Sequence, residues 1–96
     1  VCCIPVDEEL DLKKAARAAG EKKVEMIHVK DMFDITGYIR GGCSPIGMKK
    51  HFPTYIEEMA QLYDTIMVSA GQRGVQVTLS PEDLRSYLQG QFVSLV

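Results

Sequence analysis

Residues Gly41 to Gly47 (GGCSPIG) combine three glycines with Pro45, a composition that can present backbone groups to a ligand without any charged side chain. Together with Gly37 they permit conformations and close approaches that a Cβ would block, while Pro45 stiffens the middle of the stretch. The same residue types also build tight structural turns, so spacing alone leaves both readings open. Side chains suited to metal binding are scattered. His28 and His51 stand alone, and Cys2, Cys3 and Cys43 lack the spacing of zinc ligands, so neither a metal nor another cofactor is expected. Cys43 lies inside the loop and reads either as a reactive thiol or, preferably, as a small filler; Cys2 and Cys3, adjacent on a strand, would point to opposite faces as buried fillers. Lys49, Lys50 and His51, with Arg40 and Arg73, offer a basic rim that could hold nucleic-acid phosphates, or an ordinary solvated face.

The elements that must position these residues alternate along the chain. Val1 to Val6 reads as a strand, Asp11 to Gly20 as a short amphipathic helix with Leu12, Ala15, Ala16 and Ala19 on one face, and Glu21 to Val29 as a second strand of period two. Lys30 to Ile35 suits a brief helical turn, and Tyr38-Ile39 a short strand that runs into the glycine loop. Beyond Pro53 a strand resumes toward Glu57, followed by a short helical EEMAQLYD. TIMVSAG and GVQVTL, parted by Gly71-Gln72-Arg73-Gly74, form an antiparallel hairpin. In SPEDLRSYLQG, Ser80 is an N-cap, Pro81 opens the helix and Gly90 stops it. The fold class is therefore α/β, in a mixed α+β arrangement.

Composition bounds the rest. The 96 residues allow one domain, and 46% hydrophobic with 25% charged residues is that of a folded globular chain. No apolar stretch approaches the ~20 residues of a membrane span. An odd number of cysteines without a C-x-x-C pair favours a reducing, cytoplasmic setting. A net charge of −2 requires any nucleic-acid partner to be met by a local basic patch. The opening VCCI run, without an initiator Met, looks like a strand entered partway through a protein.

GYIRGGCSPIGMKKHFPTYIEE followed by TIMVSAGQRGVQVTLSPEDL resembles the YbaK/EbsC family of aminoacyl-tRNA deacylases, and LDLKKAARAAGEKKVEM resembles that family's helix-strand unit. Three blocks in the family's order span nearly the whole chain. The likeness runs to free-standing Cys-tRNA(Pro) deacylases, and to editing domains inserted in some bacterial prolyl-tRNA synthetases. It implies a YbaK-like domain with a mixed, barrel-like sheet flanked by short helices, incomplete at the N-terminus, of which residues 1–96 are the C-terminal portion. It also implies hydrolysis of the ester between a mischarged amino acid and the tRNA 3′ end, with the correct residue excluded by size and functional group.

On that resemblance, Gly41 is the glycine whose carbonyl faces the substrate amine and takes the catalytic place. The rest of the loop, Gly42, Cys43, Ser44, Pro45 and Gly47, binds the aminoacyl group. Ser69 matches a family serine near the pocket, with Gly71 keeping the adjacent backbone close; Ser69 also suits a serine that caps a turn. No His and acid accompany Ser69 in a hydrolase motif, which makes it a binding residue rather than a nucleophile. Lys49, Lys50 and Arg73 become RNA contacts. The family's principal lysine belongs to a strand that precedes the position of Val1, and Gln76 stands where the relatives carry Asp; both are departures. In Cys-specific members the substrate's own thiol attacks its ester, which removes the need for an enzyme nucleophile. Mischarged tRNA(Pro) and prolyl-tRNA synthetase are the expected partners, with neither membrane nor DNA. The rival reading is a non-catalytic tRNA- or synthetase-binding module of the same fold; a third is a fragment with no function of its own.

Overall fold

The computed structural model describes residues 1–39, 42–48 and 51–96. A three-stranded, all-parallel sheet has strand β2 (Tyr55–Glu57) at its centre, β1 (Cys2–Cys3) on one side and β5 (Gln91–Val93) on the other. The crossover from β1 to β2 carries helices α1 (Leu12–Ala19) and α2 (Val29–Thr36) and then the glycine loop. The crossover from β2 to β5 carries a 3-10 helix (Glu58–Leu62), the antiparallel hairpin β3 (Ile66–Gln72) and β4 (Val75–Leu79), and helix α3 (Pro81–Leu88).

Local chemistry sets the ends of these elements. Asp11 caps α1 by accepting hydrogen bonds from the backbone N–H groups of Lys13 (2.9 Å) and Lys14 (3.2 Å). Ser80 does the same for α3 from Asp83 N–H at 3.0 Å, with Pro81 at the first helical position. The expected stop at Gly90 falls one residue early: Gln89 takes the left-handed conformation, with φ 53°. Gly90 serves a different need. A Cβ there would stand 3.0 Å from the carbonyl oxygen of Thr54, where β5 enters the sheet beside β2.

Three expectations are corrected. The sheet does not close into a barrel: among the described residues the hairpin forms a separate two-stranded sheet. Glu21 to His28 forms no strand, and Val29 begins a helix instead. The alternation of Val24 and Met26 has no ladder to join, and Met26 is 71% exposed; period two gives a strand only where a partner satisfies its backbone. Tyr38-Ile39 is likewise no strand, so the loop follows helix α2 rather than a strand.

Ile56 of β2 and Leu84 and Leu88 of α3 form the centre of the core, and Cys3, Ile46, Ile66, Val68, Leu79 and Phe92 pack around them. On the opposite side of β2, Glu57 is only 3% exposed. Its carboxylate accepts from the backbone N–H of Leu95 (2.8 Å), Val96 (3.2 Å) and Met59 (3.0 Å). The returning chain also meets α1: Leu95 O accepts from Asp11 N–H at 2.7 Å, and Val96 O accepts from the Lys14 ammonium. Burial alone would push the Glu57 pKa up, but the three N–H donors, helped by the positive charge of Lys14, hold it below the ordinary carboxylate value.

A depressed folded-state pKa stabilises the fold above the unfolded value, near 4.5, and that contribution is lost as pH falls through Glu57's own lower pKa. Glu57→Gln replaces one acceptor oxygen by a donor and should cost about 2 kcal/mol at neutral pH. The deficit should shrink in acid. Thermal unfolding of both forms at about pH 7 and about pH 3 checks this, and an equal gap at the two values would contradict it.

Candidate functional site

Ile46 anchors the glycine loop to the core. Its side chain packs against the core, its backbone N–H donates to Ser44 Oγ at 3.2 Å, and its carbonyl accepts from the Tyr38 hydroxyl. Ser44 is 2% exposed, so its hydroxyl is spent inside the loop in a Ser-turn. Cys43 Sγ lies 3.0 Å from Met32 Sδ on α2 and 3.3 Å from Ile39 O, directed at the preceding helix and its trailing turn. What the loop offers a ligand is therefore chiefly its backbone.

The hairpin supplies the opposing wall. β3 and β4 pair regularly from Ile66↔Leu79 to Ser69↔Gln76, and the register then shifts so that Gln72 pairs with Val75. The bulge between Ser69 and Gln72 contains Gly71 at φ +92°, a conformation that L side chains rarely adopt. A Cβ on Gly71 would stand 2.8 Å from Tyr38 Cε1, and one on Gly47 would stand 3.3 Å from the Tyr38 hydroxyl oxygen. Gly42 is buried, and a Cβ there would lie 3.3 Å from Arg73 N. Loop and hairpin thus touch directly at Gly42, and at the Gly47 end they meet through the Tyr38 side chain.

Of the residues expected at the site, Gly42, Ser44, Gly47 and Gly71 are brought together, and Arg73 sits in the hairpin turn beside Gly42. Ser69 is half-buried and its hydroxyl accepts from Gly71 N–H at 3.3 Å, the turn-capping role open to it from the sequence. Pro45 and Gly47 also line a recess of about 270 Å³ with Met48, His51, Phe52 and Tyr87, on the side of α3. Gly41, Lys49 and Lys50 lie outside the described residues, as does Arg40. Gln76 opens instead on a larger, mostly apolar recess of about 710 Å³ bounded by Cys3, Ile56 and Val68. Burial raises the thiol pKa of Cys3 to about 11 and also raises that of Cys2, which keeps both protonated at neutral pH. Among the described residues, no group of three or more His, Cys, Asp or Glu could hold a metal ion, and no helix is long and apolar enough to cross a membrane.

Tyr38 is the residue that sequence reasoning missed. It reads as one more core aromatic, and its only sequence signal is its place four residues before the Gly42-Cys43 step, within side-chain reach of the loop.

A parallel sheet with crossover helices, joined to a bulged hairpin that faces a glycine loop, defines a small α/β domain whose candidate site is made of backbone. The chain belongs to the aminoacyl-tRNA editing domain family, whose model matches residues 1–87. It is 61% identical over 95 residues to EbsC of Enterococcus faecalis, named for a proposed Cys-tRNA(Pro)/Cys-tRNA(Cys) deacylase activity; the match takes in 99% of this chain and 58% of that protein. It is 25% identical over 81 residues to the uncharacterized YwhH of Bacillus subtilis, covering 84% of this chain and 51% of the relative. A crystal structure of a proposed trans-editing enzyme for prolyl tRNA synthetase superposes with a TM-score of 0.87 at 23% identity, covering 98% of this chain and 59% of the other, a likeness of fold. The chain thus spans little more than half the length of these relatives.

Gly71→Ala tests the geometry of the wall. The positive φ and the contact with Tyr38 together should cost about 2 kcal/mol and lower the thermal midpoint by about 10 °C. An unchanged midpoint would mean that the ring does not lie against Gly71.

Proposed function

We propose that the intact protein is an aminoacyl-tRNA deacylase that removes a mischarged amino acid in trans, with Cys-tRNA(Pro) as its substrate. The observation that carries this reading is the meeting of two distant segments, the loop at Gly42 against the hairpin backbone at Gln72 and Arg73, with the Tyr38 ring set between Gly47 and Gly71. The family membership and the extent of the identity with EbsC support it.

In this reading the carbonyl of Gly41 holds the substrate amine, and the backbone from Gly42 to Gly47, with Ser69 and Gly71, bounds the aminoacyl group. The hydrolysis needs no nucleophile from the protein. The cysteine thiol of the substrate gives up its proton and its sulfur attacks the ester carbonyl. A C–S bond forms, the C–O bond to the ribose breaks, and the proton ends on the released tRNA hydroxyl. Water then opens the resulting thiolactone to free cysteine. Backbone donors and acceptors suit this chemistry, since they orient the amine and carbonyl without adding a competing nucleophile. Lys49, Lys50 and Arg73 form the rim that meets tRNA phosphates, and prolyl-tRNA synthetase is the partner that yields the mischarged product, all in the cytoplasm.

The test is loss of labelled amino acid from Cys-tRNA(Pro), Ala-tRNA(Pro) and Pro-tRNA(Pro) incubated with the intact protein. Cys-tRNA(Pro) should be cleared and Pro-tRNA(Pro) spared, with activity falling as salt rises because phosphate contacts are screened. If both mischarged substrates survive while an active deacylase clears them in parallel, the reading fails. Retention of tRNA without ester loss would identify a non-catalytic binding module instead.

A further inference from the structure

We propose that Tyr38 is a positioning residue for this site: it holds the glycine loop against the hairpin bulge and so fixes the backbone groups that receive the aminoacyl moiety. The inference rests on the deacylase reading for its kinetic part only. The Tyr38 hydroxyl donates to Ile46 O, near the C-terminal end of the loop. Its ring edge occupies the space against Gly71, where a methyl group would come within 2.8 Å, and its hydroxyl end lies against Gly47. One side chain thus touches the loop at two points and the bulge at a third.

At its start the loop is tied by Gly42, whose N–H donates to Ile39 O at 3.0 Å and which packs against Gln72 and Arg73. Ser44 Oγ bonds within the loop itself, and Cys43 Sγ contacts Met32 and Ile39, both before it in the chain. Ile46 anchors the loop to the core by its side chain, and its N–H bonds to Ser44 Oγ inside the loop. The Tyr38 bond to the Ile46 carbonyl supplies a directional restraint on the same residue. Tyr38 itself is placed by the end of α2: Gly37 closes that helix at φ +83° with its N–H on Phe33 O at 2.8 Å, and Tyr38 N–H donates to Thr36 Oγ1 at 3.2 Å. The site geometry is in this way coupled to a helix that contributes none of the expected binding residues.

Tyr38→Phe in the intact protein keeps the ring and removes only the hydroxyl bond. Amide hydrogen exchange across 42–48 and 71–73 should accelerate about fivefold, with the rest of the chain unchanged. With Cys-tRNA(Pro), KM should rise by about the same factor while kcat changes little, as expected when a binding wall loosens. Tyr63→Phe, an exposed tyrosine beyond the 3-10 helix, should alter neither quantity. Exchange that is unchanged in the two segments, or accelerated throughout the molecule, would overturn the proposal. Faster exchange in those segments with an unmoved KM would reduce Tyr38 to a structural staple and overturn the positioning role. If the wild-type protein leaves every ester intact, the deacylase reading and the kinetic part fall together, and the exchange result alone decides whether the loop is held by Tyr38.

Discussion

The carboxylate of Glu57 is the interaction on which the rest of this small fold depends. A charge covered from solvent is tolerated only when its lone pairs are filled, and here three backbone N–H groups and the nearby Lys14 fill that role. The donors come from two segments. Met59 opens the 3-10 helix that leads toward the hairpin, while Leu95 and Val96 are the strand exit that passes beside α1. A single side chain therefore joins the end of the central strand to the 3-10 helix and to the segment that follows β5.

The candidate site rests on a second kind of constraint, steric rather than electrostatic. Gly42 and Gly71 matter because of what lies opposite them: the hairpin backbone in one case and the Tyr38 ring in the other. Two backbone segments can approach this closely only where Cβ atoms are missing, and the approach leaves N–H and C=O groups as the chemistry on offer. On the proposed deacylase reading, such a wall would meet the substrate amine and ester by geometry and sort substrates by the space it leaves.

Sequence patterns revealed the parts governed by local chemistry. Ser80-Pro81 announces a helix because caps and the first turn are chemistry between neighbours, and the hairpin shows in its two β-branched runs and intervening glycines. The GGCSPIG loop was legible as a shaped backbone for the same reason. The failures are non-local. Glu21 to His28 alternates like a strand but has no partner, and the barrel expected from family resemblance needs pairings that a local pattern cannot supply. Glu57 and Glu58 are indistinguishable as text; only the register of β2 against β5 buries the first and exposes the second. Tyr38 escaped notice because its partners, Ile46 and Gly71, come together only after the hairpin has folded onto the loop.

These two constraints meet on β2. Successive residues of a strand face opposite ways, and here Ile56 faces Leu84, Leu88 and the loop's Ile46, while Glu57 faces Leu95 and Val96. A slip of one residue would drive the carboxylate into the apolar cluster and leave two backbone N–H groups at the strand exit without their acceptor. The charge makes that slip far costlier than an apolar residue would, so Glu57 acts as a register lock for β2. The lock also reaches the site. Ile46, which carries the loop and receives the Tyr38 hydroxyl bond, packs into the cluster that Ile56 centres, so the placement of the candidate site's loop depends on a carboxylate on the far side of the sheet.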